Sequence, residues 1–351
     1  MRRLVAFTHA RDNPASRFRI LQYIPHLEQA GWKVSHRPQN PSQPRQSPLR
    51  NPILKALHIR TKLILRRIYR LRDIFSSASF HAVFLNRDLL EGNVLYEKLL
   101  IRRNPRVIFD FDDSIFLGEK ASHIRWICEN AAWVTAGNEY LSQFAQRFTN
   151  RVTILPTVVE VENYAVKKHI PQDKPLRVGW LGSDRSIKET LFPYVEMLAR
   201  LQVNLGFEFV IVSRPKPILP DSSLQWKYIE WNEIVETQIS SFFDIGIMPL
   251  VDDEYQKGKC GCKILQYMAA GLPVIASPVG VNTHFVDHGK RGFLAKGEDE
   301  WHDALKTLMQ NTTLYQKFGS SGRAFVKKKY SLRVWLPLLL YLLEKISVFK
   351  P

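Results

Sequence analysis

Cysteine is scarce in this chain: three residues, Cys128, Cys260 and Cys262, among 351. The number is odd, and the C-x-C pair at 260 and 262 has no second pair to complete a zinc site. A disulfide framework and a structural zinc are therefore both set aside, and a reducing cytosol fits this usage. Also missing is any run of about 20 uncharged apolar residues, the length a spanning helix needs. The longest candidate, Val334 to Leu343, is interrupted by Pro337 and reads as a final helix packed on the body. After Arg2 and Arg3 the apolar run stops at Thr8-His9-Ala10-Arg11, too short for the core of a signal peptide. A buried strand is expected there instead. The ten histidines hold no H-E-x-x-H, and the chain has no G-x-S-x-G elbow and no G-x-G-x-x-G after its first strand. Zinc peptidase, serine hydrolase and nicotinamide dehydrogenase readings lose the residues that would carry them.

What the chain does have is length, positive charge and alternation. At 351 residues it exceeds the size at which one core keeps growing, so two domains are expected. Its apolar content of 45% and charged content of 24% are those of a globular protein. Fifty Lys and Arg against 33 Asp and Glu leave a net charge of +17, which implies an anionic partner: nucleic acid, acidic lipid or a phosphorylated substrate. No recognised nucleic-acid module is present, so a nucleic-acid partner is not expected.

Leu4 to Thr8 reads as a strand, followed by a turn and a helix running to about Ala30, with Gly31 as its stop. Pro38 to Pro52 carries five prolines and should be irregular. From Ile53 to Phe75 the apolar residues Ile53, Leu57, Ile64, Ile68, Leu71 and Phe75 recur at helical spacing, and Arg60, Lys62, Arg66, Arg67 and Arg70 lie between them. This predicts a basic amphipathic helix with two readings, one at a membrane surface and one packed on the first domain. Strands follow at Ala82–Asn86, Val107–Asp112, Trp133–Ala136 and Val152–Leu155. A polar stretch near 166–175 marks a linker. A second cycle then offers strands at Leu176–Trp180, Phe207–Val212, Ile245–Met248, Val274–Ala276 and Gly292–Leu294. The alternation predicts an α/β fold with parallel sheets: a first domain over 1–165, a second over 176–330 and a final helix over 331–351.

The segment from Lys257 to Ser277 is the most informative. A strand ends at Pro249, a charged loop follows, and a helix opens near Gly261. Gly258 and Gly261 let the backbone approach a ligand, and the amides of Gly261 and Cys262 would face it. Lys257, Lys259 and Lys263 add charge at the same mouth. Taken alone, a solvated basic loop on a core helix explains these residues as well.

Met268-Ala269-Ala270-Gly271-Leu272-Pro273-Val274-Ile275-Ala276-Ser277, with Gly280 and the stretch Gly289 to Leu294, resembles the donor-binding region of the retaining GT-B glycosyltransferases of the large group 1 type. Ala15 to Gly31, Phe109 to Phe116, Thr135 to Leu141 and Val178 to Ser183 look like one bacterial branch of that family. The resemblance implies two Rossmann-like domains facing a central cleft, with the final helix a candidate to return to the first. It implies transfer of a sugar from a nucleotide diphosphate sugar to a bacterial surface glycan or lipid-linked oligosaccharide, with no cofactor and no metal. The protein would work in the cytoplasm, with peripheral contact at an anionic inner membrane face as a further expectation.

The same resemblance assigns residues. Most of the family carries two glutamates with seven residues between them, one facing the donor sugar and one the ribose. Those positions fall here on Gly258 and Gln266. Gln266 keeps hydrogen-bonding capacity; Gly258 cannot replace a carboxylate, and Lys259, Asp252, Asp253 and Glu254 are candidates for the missing sugar contact. Ser183, Arg185 and Lys188 fall where the family binds the diphosphate, joining Lys259, Gly261, Cys262 and Lys263 as donor-binding candidates. Asp112 and Asp113 are the catalytic candidates, beside Asp110 at the end of a strand, where open α/β sheets place ligands. A metal site is the rival there, and Asp110 has the alternative of pairing with Arg106 or a lysine. Ser16 and Arg17 are candidates to line the acceptor side, with Arg19 able to make a surface ion pair. Asn138 either lines that side or caps the next helix. Loss of the carboxylate at Gly258 keeps a second reading open, a non-catalytic nucleotide-sugar-binding or scaffold subunit.

Overall fold

The computed structural model describes residues 1–41, 47–90, 94–167 and 175–349. It divides into two compact units, Met1–Thr157 together with Trp335–Pro351, and Val158–Val334. The expected linker, 166–175, lies for the most part outside the described residues, as does part of the proline-rich segment, at 42–46.

The first unit is built on β1 (Arg2–Thr8), α1 (Pro14–Arg19), α2 (Ile24–Gln29), β2 (Trp32–Pro38), α3 (Pro52–Ser76), β3 (Ala82–Asn86), α4 (Leu95–Arg103), β4 (Val107–Phe111), α5 (Ala121–Asn130), β5 (Trp133–Ala136), α6 (Glu139–Gln146) and β6 (Val152–Ile154). Its six strands are parallel, in the order β2-β1-β3-β4-β5-β6. Both β3 and β4 are buried along their whole length, as a parallel sheet covered on two faces requires.

The second unit holds β7 (Arg177–Leu181), α7 (Asp184–Thr190), α8 (Val195–Leu205), β8 (Glu208–Ser213), β9 (Trp226–Glu230), α9 (Glu233–Thr237), β10 (Ile245–Met248), α10 (Glu254–Lys257), α11 (Cys262–Ala269), β11 (Val274–Ala276), α12 (Asn282–Val286), β12 (Gly292–Leu294), α13 (Glu298–Gln310) and α14 (Thr312–Lys329). Its sheet is again parallel and six-stranded, in the order β12-β11-β10-β7-β8-β9. Trp180, Phe209, Ile245 and Trp301 sit in its core. The last helix, α15 (Leu332–Ser347), belongs from Trp335 onward to the first unit. There Glu344 accepts from Arg2 at 2.9 Å, and the Lys345 ammonium stands 3.9 Å from the Trp133 ring.

The expected strands appear within a residue or two, but two more, β2 and β9, were not anticipated. Both are edge strands, and Trp226-Lys-Tyr-Ile-Glu230 and Trp32-Lys-Val-Ser-His-Arg-Pro38 interleave polar residues where a central strand shows an apolar run. The single helix expected up to Ala30 is broken into α1 and α2. Pro25 sits in the first turn of α2, where its missing N–H costs nothing. Arg70, expected on an exposed basic face, is buried instead: it covers the Phe7 ring at 5.2 Å and donates to the Arg37 carbonyl at 3.3 Å. Its stem fills the gap between helix and sheet.

Candidate functional site

In the second unit β7 lies between β8 and β10, so the chain leaves β7 on one side and returns on the other. Such a reversal in an open parallel sheet leaves a crevice beyond the carboxyl ends of the strands. The segments after β7 and β10 meet there. Ser183 caps α7, its Oγ accepting from the Ser186 amide at 3.3 Å. Gly182 precedes it, and a Cβ at that position would lie 2.4 Å from the Trp180 ring and 2.9 Å from Cε of Lys263. The bare backbone admits the Lys263 stem, whose ammonium stands 5.1 Å from the Trp180 ring and donates to Ser186 Oγ at 2.8 Å.

Gly261 opens α11 at φ +64, in the left-handed region, and a Cβ there would lie 2.6 Å from the Phe285 ring. Only glycine meets both demands. Two further cations close in. Arg185 donates to Glu189 at 2.7 Å and to the Tyr255 hydroxyl at 3.1 Å, while Lys259 lies 4.9 Å from the Tyr255 ring and 3.5 Å from Glu189. Arg185, Lys259 and Lys263 are thus gathered around Ser186, Glu189 and Tyr255. Lys188 pairs instead with Asp184, one turn back on an exposed part of α7, at 3.0 Å.

Of the candidates for the missing sugar contact, Asp253 caps α10 by accepting from Gln256 N at 2.7 Å, and Asp252 and Glu254 pair with Lys257. Gly258 ends α10. Gln266 is buried and its amide is engaged at both ends: Nε2 donates to Tyr164 at 3.2 Å, and Oε1 accepts from the Cys262 thiol at 3.8 Å.

At the opposite ends of the same strands Asp244 is fully buried between Lys167 at 2.5 Å and Arg177 at 2.9 Å. Burial alone would push its carboxyl up, but the hydrogen bonds from Arg177 and Lys167 outweigh that and hold it below the usual range. This end of the sheet is bolted shut by ion pairs; the other carries the unmatched glycines and the gathered cations.

In the first unit the three aspartates divide between two arginines, Asp110 on Arg19 and the other two on Arg87. Asp110 is fully buried and accepts from Arg19 at 2.5 and 3.1 Å, from Asn86 at 2.9 Å and from Thr135 at 2.7 Å. The Arg19 pair expected at the surface is therefore internal, and among the described residues Asp110 is bonded by Arg19, Asn86 and Thr135 in place of the expected Arg106 or lysine. Asp112 and Asp113 lie just past β4 and share Arg87, with contacts of 2.8 and 2.6 Å. Among the described residues no three His, Cys, Asp or Glu are grouped to hold a metal ion. Asn138 caps α6 by accepting from Leu141 N at 2.9 Å, Ser16 is fully buried, and Arg17 lies over the Phe18 ring at 5.1 Å.

Residues 177–311 match the family model of the Glycosyl transferases group 1. That match lies wholly within the second unit, from β7 to the end of α13. The chain as a whole has the GT-B fold: it is similar to the solved sucrose-phosphate synthase of Thermosynechococcus elongatus, with a TM-score of 0.70, 15% identity, and 98% of this chain and 99% of that one covered. It is similar also to HepE of Anabaena, solved in complex with UDP and glucose, with a TM-score of 0.69, 13% identity, and 99% and 100% coverage. A probable sucrose-phosphate synthase of Thermosipho melanesiensis is 28% identical over 159 residues, 42% of this chain. That match spans only 36% of the relative's own length.

In the second unit Ser186, Glu189 and Tyr255 escaped sequence reasoning, as did Arg87 in the first unit. Glu189 and Tyr255 are common surface residue types, and only the pairing of β7 with β10 brings them to one place. Arg87 carried a signal that sequence hides: its φ of +62 puts a non-glycine residue in the left-handed region at a strand end.

Proposed function

We propose that the protein transfers a sugar from a nucleoside diphosphate sugar to a bacterial surface glycan or lipid-linked oligosaccharide, retaining the anomeric configuration. The observation that carries this reading is the convergence of Arg185, Lys259 and Lys263 at the point of strand reversal, beside the Gly261-opened helix. Breaking a glycosidic bond to a nucleoside diphosphate leaves negative charge on the departing phosphate. Fixed cations and the first amides of α11 would stabilise that charge as it develops. The role needs positive charge rather than a particular metal, so the protein's own side chains suffice in this reading. The UDP and glucose held by HepE make a uridine diphosphate sugar the first donor to try. Ser183 would help shape the phosphate site, Gln266 would turn from Tyr164 toward the ribose, and Asp112 and Asp113 would act on the acceptor. A lipid-linked acceptor would bring the protein to the inner face of a membrane.

A thermal-shift series with uridine, guanosine and thymidine diphosphate sugars tests the donor site, since a ligand at about 100 times its dissociation constant adds about 2.7 kcal/mol of apparent stability. Transfer of labelled sugar, with the product configuration read by NMR, tests the reaction. Absence of both stabilisation and transfer with all three nucleotides would overturn the reading. One observation favours a second: Gly258 offers no side chain where the family's carboxylate would face the sugar. Stabilisation by a nucleotide sugar with no turnover on any acceptor would then point to a non-catalytic donor-binding subunit.

A further inference from the structure

The helix α3 packs against the first unit through Arg70 and Ile74, both buried. On its far side Ile53 is 78% exposed, Leu57 61%, Ile64 48%, Ile68 53% and Phe75 60%. At 100° per residue these five fall within about 60° of one another around the helix axis, and Ile74 and Arg70 lie roughly 90° and 130° away from their centre. The stripe runs for roughly 33 Å. Large apolar side chains in such a row, turned away from their own domain, mark a surface that something else covers. Arg60, Arg67 and Arg72 flank the stripe on its two sides, all of them exposed, and Asp73 is the one acidic residue in the helix.

We propose that the outward face of α3 docks the protein on an anionic lipid bilayer, lying in the plane of the interface. Charge selects this occupant. A second copy of the chain would set one cationic helix against another, whereas anionic headgroups answer the flanking arginines while the acyl boundary takes up the apolar row. No helix among the described residues is long and apolar enough to cross a membrane, so attachment through α3 is peripheral. The proposal deepens the reading of a lipid-linked acceptor, yet it stands on α3 alone.

The test is sedimentation of the full chain with vesicles of phosphatidylcholine and phosphatidylglycerol in equal parts, compared with phosphatidylcholine alone. The expected result is binding to the anionic vesicles that weakens as NaCl rises from about 0.1 M to about 0.5 M, because the screening length shrinks severalfold over that range. Two triple variants at exposed positions, Leu57→Gln/Ile64→Gln/Ile68→Gln and Arg60→Gln/Arg67→Gln/Arg72→Gln, should each lower partitioning by about tenfold or more. Their melting temperatures should match that of the parent. Wild-type protein that ignores anionic vesicles at low salt overturns the proposal. So does a wild-type dimer that the apolar triple variant splits while vesicle binding stays absent, which would make α3 an interface between copies. Thermal shift by nucleotide sugars on the same preparations reports separately on the donor site, so failure of one reading is distinguishable from failure of the other.

Discussion

The Lys263 ammonium donates to the Ser186 hydroxyl at 2.8 Å across 77 residues of chain. Lys263 lies in the first turn of α11, which follows β10, and Ser186 lies in α7, which follows β7. The bond therefore ties together two segments that leave neighbouring parallel strands at their carboxyl ends. Trp180 completes the arrangement by presenting its ring to the same ammonium. The hydroxyl and the aromatic face together hold the ammonium at the carboxyl ends of two neighbouring strands, where an anion entering the crevice would meet it.

Lys263→Ala should therefore weaken binding of a nucleoside diphosphate by about tenfold or more, since a hydrogen bond to a charged group is worth about 1.5–3 kcal/mol. Calorimetric titration with UDP checks it. The melting temperature of the unliganded protein should change little, because the group removed is a partly buried side chain at the end of the sheet. Unchanged affinity would remove Lys263 from the site.

Gly261→Ala should cost stability even without ligand. The residue would have to keep a left-handed backbone and push a methyl group against Phe285, and a penalty of about 1–3 kcal/mol is expected. Denaturant unfolding measures it. Gly31→Ala offers a control, since that glycine is also left-handed but has open space around its Cβ position; its cost should stay near 1 kcal/mol.

Sequence was most informative where local chemistry and fold agree. The strands with continuous apolar runs, such as Val107–Phe111, were legible because burial on both faces leaves a one-dimensional trace. The edge strands β2 and β9 left none, since one side of each faces away from the sheet. The same distinction holds in the site. Lys263 and Gly261 were legible because they lie in one continuous segment with its own glycine and lysine spacing. In sequence Lys188 is the preferred diphosphate candidate over Arg185, three residues away in the same helix. Both side chains are exposed, and their partners separate them: Asp184 holds Lys188, whereas the Tyr255 hydroxyl joins Arg185 to the cluster. In α3 the periodicity was plain, but which face met the protein was not; burial of Ile74 and Arg70 decides that.

Arg87 offers a prediction in which two effects separate. Arg87→Ala removes the guanidinium shared by Asp112 and Asp113 and leaves a β-carbon in the left-handed region. Arg87→Gly removes the same ion pairs and relieves the backbone. Both variants should lower sugar transfer in proportion to the disorder of the two aspartates. The glycine variant should nevertheless be the more stable of the two by about 1 kcal/mol, the cost of a left-handed non-glycine residue. Equal stabilities would show that the backbone at this position relaxes freely.

Acid unfolding should draw on two windows, the upper one shared by His36 and His81 and the lower one by Asp244 and Asp88. His36 sits on the edge strand β2 with its Nε2 2.8 Å from Thr8 Oγ1. Burial, then the charges of Arg11 and Arg70, lower its imidazole from 6.5 to about 4. As pH falls from 6.5 to about 4, the unfolded chain takes up a proton that the folded chain refuses, and stability declines across that window. Asp244 behaves in the second window. Its folded value lies below the unfolded one, so its stabilisation is complete above about pH 3.9 and is lost as pH falls further toward the folded value. His36→Gln keeps a partner for Thr8 but does not titrate, and should reduce the slope of the upper window while leaving the lower one steep. Asp244→Asn should reduce the slope of the lower window, leaving the share of Asp88, and also cost about 3–5 kcal/mol at neutral pH, because Lys167 and Arg177 lose the carboxylate between them. Urea unfolding at a series of pH values measures both slopes, and an upper-window slope that survives in His36→Gln would assign that proton uptake to another group.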